Sequence, residues 1–271
     1  MSILNDMSAF VALIAGGTKG IGLATALEFA RHGAHCVITH KWDSTDKDEL
    51  RRQFDATGGM QPLIVQADVK NDEDTDALLD QIKAYHNKVD AFVSAAAFAQ
   101  IVDKVENYSR RDFLNSIEYT TWPLVEYPRR IRKVFGKYPR YVIGISSSGP
   151  NQYCSNYDMV AGCKAALEAI GRYMAYRLIQ EPVNVNVVRA RYVRTESLRA
   201  TAGDGFEPYV DARAPDLFID KGDVGSAVFG LCTGLMDAVN GQIIMVDQGT
   251  EFYDGVSMLF DRNAHRSSAR R

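Results

Sequence analysis

Tyr157 and Lys164 are the two side chains whose types and spacing point most directly to chemistry. They stand seven positions apart. At about 100° per residue of α-helix this is two turns, so both would project from one helix face. A phenol with a pKa of about 10 is a poor acid at neutral pH unless a nearby cation lowers that pKa. The pair predicts proton donation to an oxygen that gains negative charge, provided that the fold places it beside a ligand.

A glycine-rich turn near the start of the sequence is the second chemical signal. The apolar residues 11–14 lead directly into Ala-Gly-Gly-Thr-Lys-Gly-Ile-Gly, which ends at Gly22. Glycines at a strand-to-helix turn let backbone N–H groups approach an anion, and the helix N-terminus adds favourable partial charge. The alternative is a turn that holds no ligand. The predicted phosphate-binding residues are Gly16, Thr18, Lys19, Gly20, Ile21 and Gly22.

Short apolar runs alternate with longer amphipathic stretches along the chain. The predicted strands are Val11–Ala15, His35–Thr39, Leu63–Ala67, Ala91–Ser94, Tyr141–Ile145, Val183–Val188 and Gln242–Val246. The predicted helices are Ile21–Arg31, Lys47–Asp55, Asp72–His86, Arg111–Phe135, Tyr157–Leu178 and Asp223–Leu235. This alternation is typical of right-handed βαβ crossovers and a parallel sheet covered on both faces. We predict an α/β fold, with a single doubly wound Rossmann domain and a seven-stranded parallel sheet over residues 1–260, then a flexible tail at 261–271.

Two stretches depart from this alternation. Pro123 and Pro128 fall inside a helical pattern and should kink or split that helix. Residues 195–221 fit neither the helical nor the strand period and follow the carboxyl end of the sixth strand. Ligands of open α/β sheets bind outside such ends, so this segment is a candidate substrate lid. The alternative is a plain surface insertion.

Four arginines surround the start of that segment: Arg189, Arg191, Arg194 and Arg199. Such a cluster suits a phosphopantetheine phosphate, an acidic carrier protein or a carboxylate substrate. Salt bridges to Glu196 and other acids on a solvated loop explain it equally well.

The end of the second strand indicates which dinucleotide would bind. An acidic residue there bonds the adenosine ribose hydroxyl, whereas a basic residue accommodates a 2′-phosphate. Here the strand ends in His40 and Lys41, with no carboxylate before Asp43. Lys41, helped by Lys19, therefore favours NADP(H), although a solvated turn lysine is the alternative. Asp68, after the third strand, is a candidate partner of the adenine amino group or, equally, a turn carboxylate.

Composition narrows the function classes. The chain has 271 residues, 46% of them hydrophobic, and a formal net charge of −3. These values suit one domain with a full core and give no reason to expect nucleic acid or a membrane as a partner. We expect no metal site, because the five histidines show no ligand spacing. The four scattered cysteines, without an evident signal peptide or membrane-spanning run, predict a cytoplasmic protein with free thiols.

Taken together, these segments resemble the short-chain dehydrogenase/reductase family over nearly the whole chain. The matching pieces are the glycine turn, Ala67-Asp68-Val69, Ser146-Ser147, Tyr157 with Lys164, Thr195, and residues 240–249. The resemblance implies that Tyr157, Lys164 and Ser147 are catalytic. It also implies a homotetramer or homodimer packed through the helices near 111–135 and 157–178. The cofactor-binding residues that it adds are Val69, Ser94, Ala95, Ala96, Lys164 and Thr195.

The spacing of the catalytic residues resembles one branch of that family. The common pattern is Y-x-x-x-K, whereas position 160 here is Val160 and the tyrosine stands one turn earlier. Ser147 also lies closer to the tyrosine than in the common pattern. Both features resemble the enoyl-acyl-carrier-protein reductases, and the run from Ser146 to Ala169 resembles the third type in particular. This implies NADPH-dependent reduction of a carbon–carbon double bond in a fatty-acyl or polyketide chain, on a small-molecule or carrier-protein-tethered substrate.

Two other functions stay open at this point. A ketoreductase of the same family would use Tyr157 to protonate a ketone oxygen. The other hypothesis is a non-catalytic NADP(H)-binding sensor. It is favoured if the departures from the family at Ser94, Ser116 and Arg191 have inactivated the catalytic site. The intact Tyr157 and Lys164 argue against the sensor.

Overall fold

Strands and helices alternate through the part of the chain that the computed structural model describes, residues 7–42, 46–98, 100–258 and 260–261. The strands are β1 (Val11–Ala15), β2 (His35–His40), β3 (Leu63–Gln66), β4 (Ala91–Ser94), β5 (Tyr141–Ser147), β6 (Asn184–Ala190), β7 (Tyr192–Val193), β8 (Phe218–Ile219) and β9 (Ile243–Val246). The α-helices are α1 (Gly20–Arg31), α2 (Lys47–Asp55), α3 (Asp72–Tyr85), α4 (Arg110–Thr120), α5 (Pro123–Phe135), α6 (Asp158–Arg177), α7 (Glu196–Ala202), α8 (Phe206–Asp211) and α9 (Lys221–Leu231). Asp43 and all but the first residue of the predicted tail lie outside the described residues.

Seven of the strands form one parallel sheet in the order β3-β2-β1-β4-β5-β6-β9. The predicted doubly wound Rossmann sheet is therefore confirmed. Strand order reverses between β1 and β4, and the crevice outside the carboxyl ends of these strands is where such sheets bind ligands. Ala15 pairs with Ser94 at that edge, and Ser147 pairs with Ala190 farther along it. The sheet thus aligns the predicted cofactor and catalytic segments along one edge.

The core has two layers because successive strand side chains alternate between the faces of the sheet. Ile14 and Ile143 pack with Phe29 of α1 and with α9 on one face. Leu13 and Val142 pack with Leu167 of α6, and with α3 and α5, on the other. Both faces are thus covered, which explains why these strands are almost continuously apolar. None of the described helices is both long and apolar enough to cross a membrane.

The structure defines the two stretches that depart from the alternation of strands and helices. The stretch 111–135 is split into α4 and α5 as expected, with Pro123 at the first position of α5, where a missing N–H is tolerated. Pro128 lies inside α5 without ending it. Residues 195–221 are not irregular: they contain α7 and α8, and β8 pairs with β7 in a small second sheet. Helices of six and seven residues are too short to show a period in the sequence.

Candidate active site

The glycine turn joins β1 to α1 and packs closely against the residues that follow β4. Gly16 has a φ of +78°, and a Cβ there would lie 2.8 Å from the Ala96 nitrogen. A Cβ at Gly22 would lie 2.2 Å from the Gly16 carbonyl oxygen. Glycine is therefore required at both positions by close backbone approach. The side chain of Lys19, at the N-cap of α1, hydrogen-bonds none of the first-turn amides, so it leaves that helix end open to an anion.

The other predicted cofactor residues gather around this turn. The Ala95 amide donates to the Ala15 carbonyl oxygen at 3.0 Å, and the Thr195 methyl lies 3.6 Å from where a Gly20 Cβ would be. Thr195 also begins α7 by accepting a hydrogen bond from the Leu198 amide. Ser94 Oγ is buried without a hydrogen-bond partner among the described residues. Thr18 is buried, and Ile21 packs against the core.

A nicotinamide dinucleotide fits this edge of the sheet. The glycine turn and the start of α1 suit its pyrophosphate, and the residues after β4 approach the turn from the opposite side. Ser94 Oγ and His40 Nε2 are buried polar atoms that have no hydrogen-bond partner within the described chain, as expected beside a polar ligand.

Lys41 follows β2 and Asp68 follows β3, as the sequence predicted, and their side chains bind each other. Lys41 Nζ lies 3.0 Å from Asp68 Oδ2, and it also donates to the Tyr119 hydroxyl. That hydroxyl in turn donates to Asp68 Oδ2 at 3.1 Å. Burial alone would raise the pKa of Asp68, but hydrogen bonds from the Lys70 amide, Lys41 and Tyr119 hold it below its usual range. Val69 is partly buried against the core.

Tyr119 is a site residue that the sequence interpretation missed. It lies on α4, and only the packing of that helix brings its hydroxyl to Asp68, 51 positions away. The other predicted phosphate ligand, Lys19, forms an ion pair of 2.7 Å with Glu196 of α7. The two lysines that the sequence assigned to one phosphate therefore contact different carboxylates.

The three predicted catalytic residues converge where β5 ends. The Tyr157 hydroxyl donates to Ser147 Oγ at 3.0 Å. Lys164 is buried, and its Nζ donates to the Ile145 carbonyl oxygen at 2.6 Å. The Tyr157 ring lies over Gly149, where a Cβ would be 2.6 Å from Cδ1. The last three residues of β5, 145–147, thus bring together the Tyr157 phenol, the Ser147 hydroxyl and the Lys164 ammonium.

The expectation that Lys164 lowers the pKa of Tyr157 is wrong. Burial raises the pKa of Tyr157 to about 12, and Ser147 only partly offsets that rise. Lys164 does not lower it: Tyr157 stands before the first residue of α6, at φ −106° and ψ 5°, and the ammonium donates to the strand instead. Burial also lowers the pKa of Lys164 to about 8, against smaller opposing effects of Cys163 and Glu168.

The arginine cluster divides by partner. Arg189 binds Glu168, Arg194 binds Asp211, and Arg199 binds Glu207. Arg191 donates instead to the Thr250 carbonyl oxygen, and its Nε is buried without a partner in the described part of the chain. Salt bridges therefore account for three of the four arginines.

A groove of about 340 Å³ opens beside the phenol. It is lined by residues 149–154 together with Tyr157, Asp158 and Ala161. Tyr153 at its rim is largely exposed. The groove therefore borders the Tyr157 side chain.

Comparison with known proteins identifies the family. The sequence profile described as Enoyl-(Acyl carrier protein) reductase matches residues 15–251. The chain belongs to this family. It is a short-chain dehydrogenase/reductase of the enoyl reductase kind, and its relatives imply a nicotinamide cofactor.

Individual relatives agree over most of their length. The chain is 30% identical to the 1-cyclohexenylcarbonyl-CoA reductase of Streptomyces collinus, over 88% of this chain and 86% of that protein. It is 27% identical to the enoyl-[acyl-carrier-protein] reductase [NADH] FabI of a Synechocystis species, over 92% and 97%. It is 24% identical to the enoyl-[acyl-carrier-protein] reductase [NADPH] FabI of Staphylococcus aureus, over 90% and 96%. The names of these proteins include both cofactors.

A solved structure supports the fold. The short-chain dehydrogenase of Bacillus anthracis superposes with a TM-score of 0.75 at 20% identity, covering 92% of this chain and 99% of that one.

Proposed function

We propose that this protein is an NADPH-dependent reductase of an enoyl thioester, in which Tyr157 donates the proton. The observation that carries the proposal is the 3.0 Å hydrogen bond from the Tyr157 hydroxyl to Ser147 Oγ, at the strand end whose Ile145 carbonyl binds the buried ammonium of Lys164. It lies at the same edge of the sheet as the glycine turn. The Streptomyces relative, named as a reductase of a cyclohexenylcarbonyl-CoA, supports an enoyl thioester as the substrate class.

The proposed chemistry follows from where charge develops. When bound, the reduced nicotinamide supplies a hydride to the β-carbon of the enoyl thioester, and negative charge then builds on the thioester oxygen. The Tyr157 hydroxyl donates its proton to that oxygen, and the resulting enol then tautomerises to the saturated thioester, with a proton lost from the oxygen and one gained by the α-carbon. With its pKa raised to about 12, the phenol keeps its proton until a strongly basic oxygen forms beside it. Ser147 orients the hydroxyl. The buried Lys164 holds its positive charge at the Ile145 carbonyl, on the same strand end.

The preference for NADPH rests on Lys41. Its ammonium follows the end of β2, where a 2′-phosphate would approach. Lys41 is paired with Asp68 there, so a phosphate would compete with that carboxylate for the ammonium. A phosphate carries more negative charge than one carboxylate, which favours the exchange.

The test is a comparison of two thioesters and two cofactors. We expect crotonyl-CoA to cause loss of NADPH absorbance, acetoacetyl-CoA to cause little, and NADH to be a poorer donor than NADPH. Consumption with acetoacetyl-CoA alone would show a ketoreductase instead. NADPH binding without turnover of either thioester would show a non-catalytic sensor.

We also propose a homo-oligomer packed through α4 and α6. In support, these helices expose apolar side chains, among them Phe113, Leu114, Tyr173 and Tyr176. Light scattering on the eluting protein should give the mass of a dimer or tetramer, and a monomer mass would reject this proposal.

A further inference from the structure

A buried ion pair lies directly behind the proposed catalytic residues. Glu168 of α6 is 4% exposed and Arg189 of β6 is 6% exposed. Arg189 Nε donates to Glu168 Oε1 at 2.9 Å, and Nη2 donates to Oε2 at 2.5 Å. The contact is bidentate, so it fixes the direction of both side chains as well as their distance.

The Glu168–Arg189 pair contacts the carboxyl end of β5, where the catalytic side chains also bind. Ser146 Oγ donates to Glu168 Oε1 at 2.6 Å, and Ser146 is the register partner of Arg189. Ser147, the next residue, accepts the Tyr157 hydrogen bond, and the preceding residue accepts from Lys164. Three consecutive residues of β5 are therefore each held by one polar side chain of the α6 region.

Stability alone is a poor explanation for such a pair. Removing two charges from water costs several kcal/mol per ion, and apolar replacements of buried ion pairs are often neutral or stabilising. The neighbouring core at Leu167 and Val187 is apolar, so an apolar pair would suit these positions. The charged Glu168–Arg189 pair instead fixes the position of the end of β5.

We propose that Glu168 and Arg189 are positioning residues of the active site. They hold Ser146, and thereby set the Ser147 hydroxyl at the distance at which it orients Tyr157. Glu168 also stands one turn after Lys164, so its carboxylate supports the charged form of that ammonium. The expected change in kcat rests on the proposed function. The expected change in the pKa of Lys164 does not.

Several groups face Lys164 and must be considered together. Cys163 and Glu168 act on it from its own helix. The Ile145 carbonyl faces it from β5. Arg189 approaches Glu168 from β6, and Glu251 lies 3.8 Å from Arg189 on the far side. Burial lowers the pKa of Lys164, whereas Cys163 and Glu168 raise it. Removing the Glu168 charge should therefore lower that pKa further.

The test uses Glu168→Gln and Arg189→Lys. Glu168→Gln keeps the shape and a hydrogen-bonding oxygen but removes the charge. We expect the alkaline limb of its pH–rate profile to move roughly half a unit to one unit lower, with kcat reduced and KM little changed. Arg189→Lys keeps the charge but loses the bidentate contact, so kcat should fall while the alkaline limb stays in place. Glu181→Gln, which removes one partner of the exposed Arg132–Glu181 pair, is the control and should behave like wild type.

A second measurement separates this inference from the proposed function. Titration of Lys164 by NMR of isotope-labelled lysine, assigned with Lys164→Met, reports its pKa whether or not a thioester is reduced. A lower midpoint in Glu168→Gln supports the inference even for an inactive wild type, a result that would reject only the proposed function. An unmoved midpoint in Glu168→Gln, or a loss of melting temperature with no change in kcat or pH profile, would overturn the inference.

Discussion

The two ends of the cleft hold their charges in different ways. At the cofactor end, Lys19 and Glu196 form an ion pair in which the side chains are 69% and 71% exposed, and Lys41 pairs with a half-buried Asp68. At the catalytic end, Lys164, Glu168 and Arg189 are all buried. Each catalytic charge is held by a strand carbonyl or by a bidentate partner.

This difference in burial predicts how substitutions at each end affect the protein. Exposed pairs are screened by water and contribute little, so the lysines at the cofactor end can exchange partners when an anion arrives. Buried groups that lose a partner cannot recover it from water. Substitutions at the catalytic end should therefore change rate and pH dependence, and those at the cofactor end should change affinity and selectivity.

The largest expected effect is that of Tyr157→Phe. The variant keeps the ring over Gly149 but removes the proton donor, so kcat should fall roughly a hundredfold to ten-thousandfold. NADPH affinity, measured by fluorescence titration, should stay within about twofold because the glycine turn is untouched. Tyr85→Phe makes the same change on an exposed residue of α3 and is the matched control. Full activity in Tyr157→Phe would exclude the phenol as the acid.

The pH dependence of the wild type is the next effect in size. Because burial lowers the pKa of Lys164 to about 8, its ammonium is charged below that pH and loses its proton above it. The rate of enoyl reduction should be level on the acid side of this pKa and fall about tenfold per pH unit above it. A rate that stays constant to well above pH 8 would show that the reaction does not need the charged lysine.

The contrast between the two ends also explains what the sequence could reveal. Strands β1 and β4 were predicted to the residue, since short apolar runs bounded by turn residues define buried strands. Tyr157 and Lys164 were found from their helical spacing, and Ser147 was found from the resemblance to the reductase family. Tyr119 gave no signal, because its contact with Asp68 depends on how α4 packs. Glu168 had a partial signal, one turn after Lys164, but its partner Arg189 is 21 residues away and is set by the register of β5 and β6.

The third prediction concerns selectivity at the cofactor end. Lys41→Ala removes the ammonium proposed to meet a 2′-phosphate, so NADPH affinity should fall roughly tenfold while NADH affinity changes little. The control is Lys83→Ala, an equal change in net charge on α3, which should leave both affinities unaltered. If Lys41→Ala weakens NADPH and NADH equally, Lys41 does not distinguish the two cofactors.

The smallest effect should come from Lys19, the lysine with the most exposed pair. Its contact with Glu196 is worth about 0–1 kcal/mol, the range of surface ion pairs, and is screened by salt. Lys19→Ala should therefore weaken NADPH binding by less than about fivefold, and the difference should shrink as salt is added. Glu196→Gln releases the ammonium and should tighten NADPH binding slightly at low salt. A loss in Lys19→Ala as large as that in Lys41→Ala would mean that both lysines contact the phosphate, and that the Lys19–Glu196 pair gives way when cofactor binds.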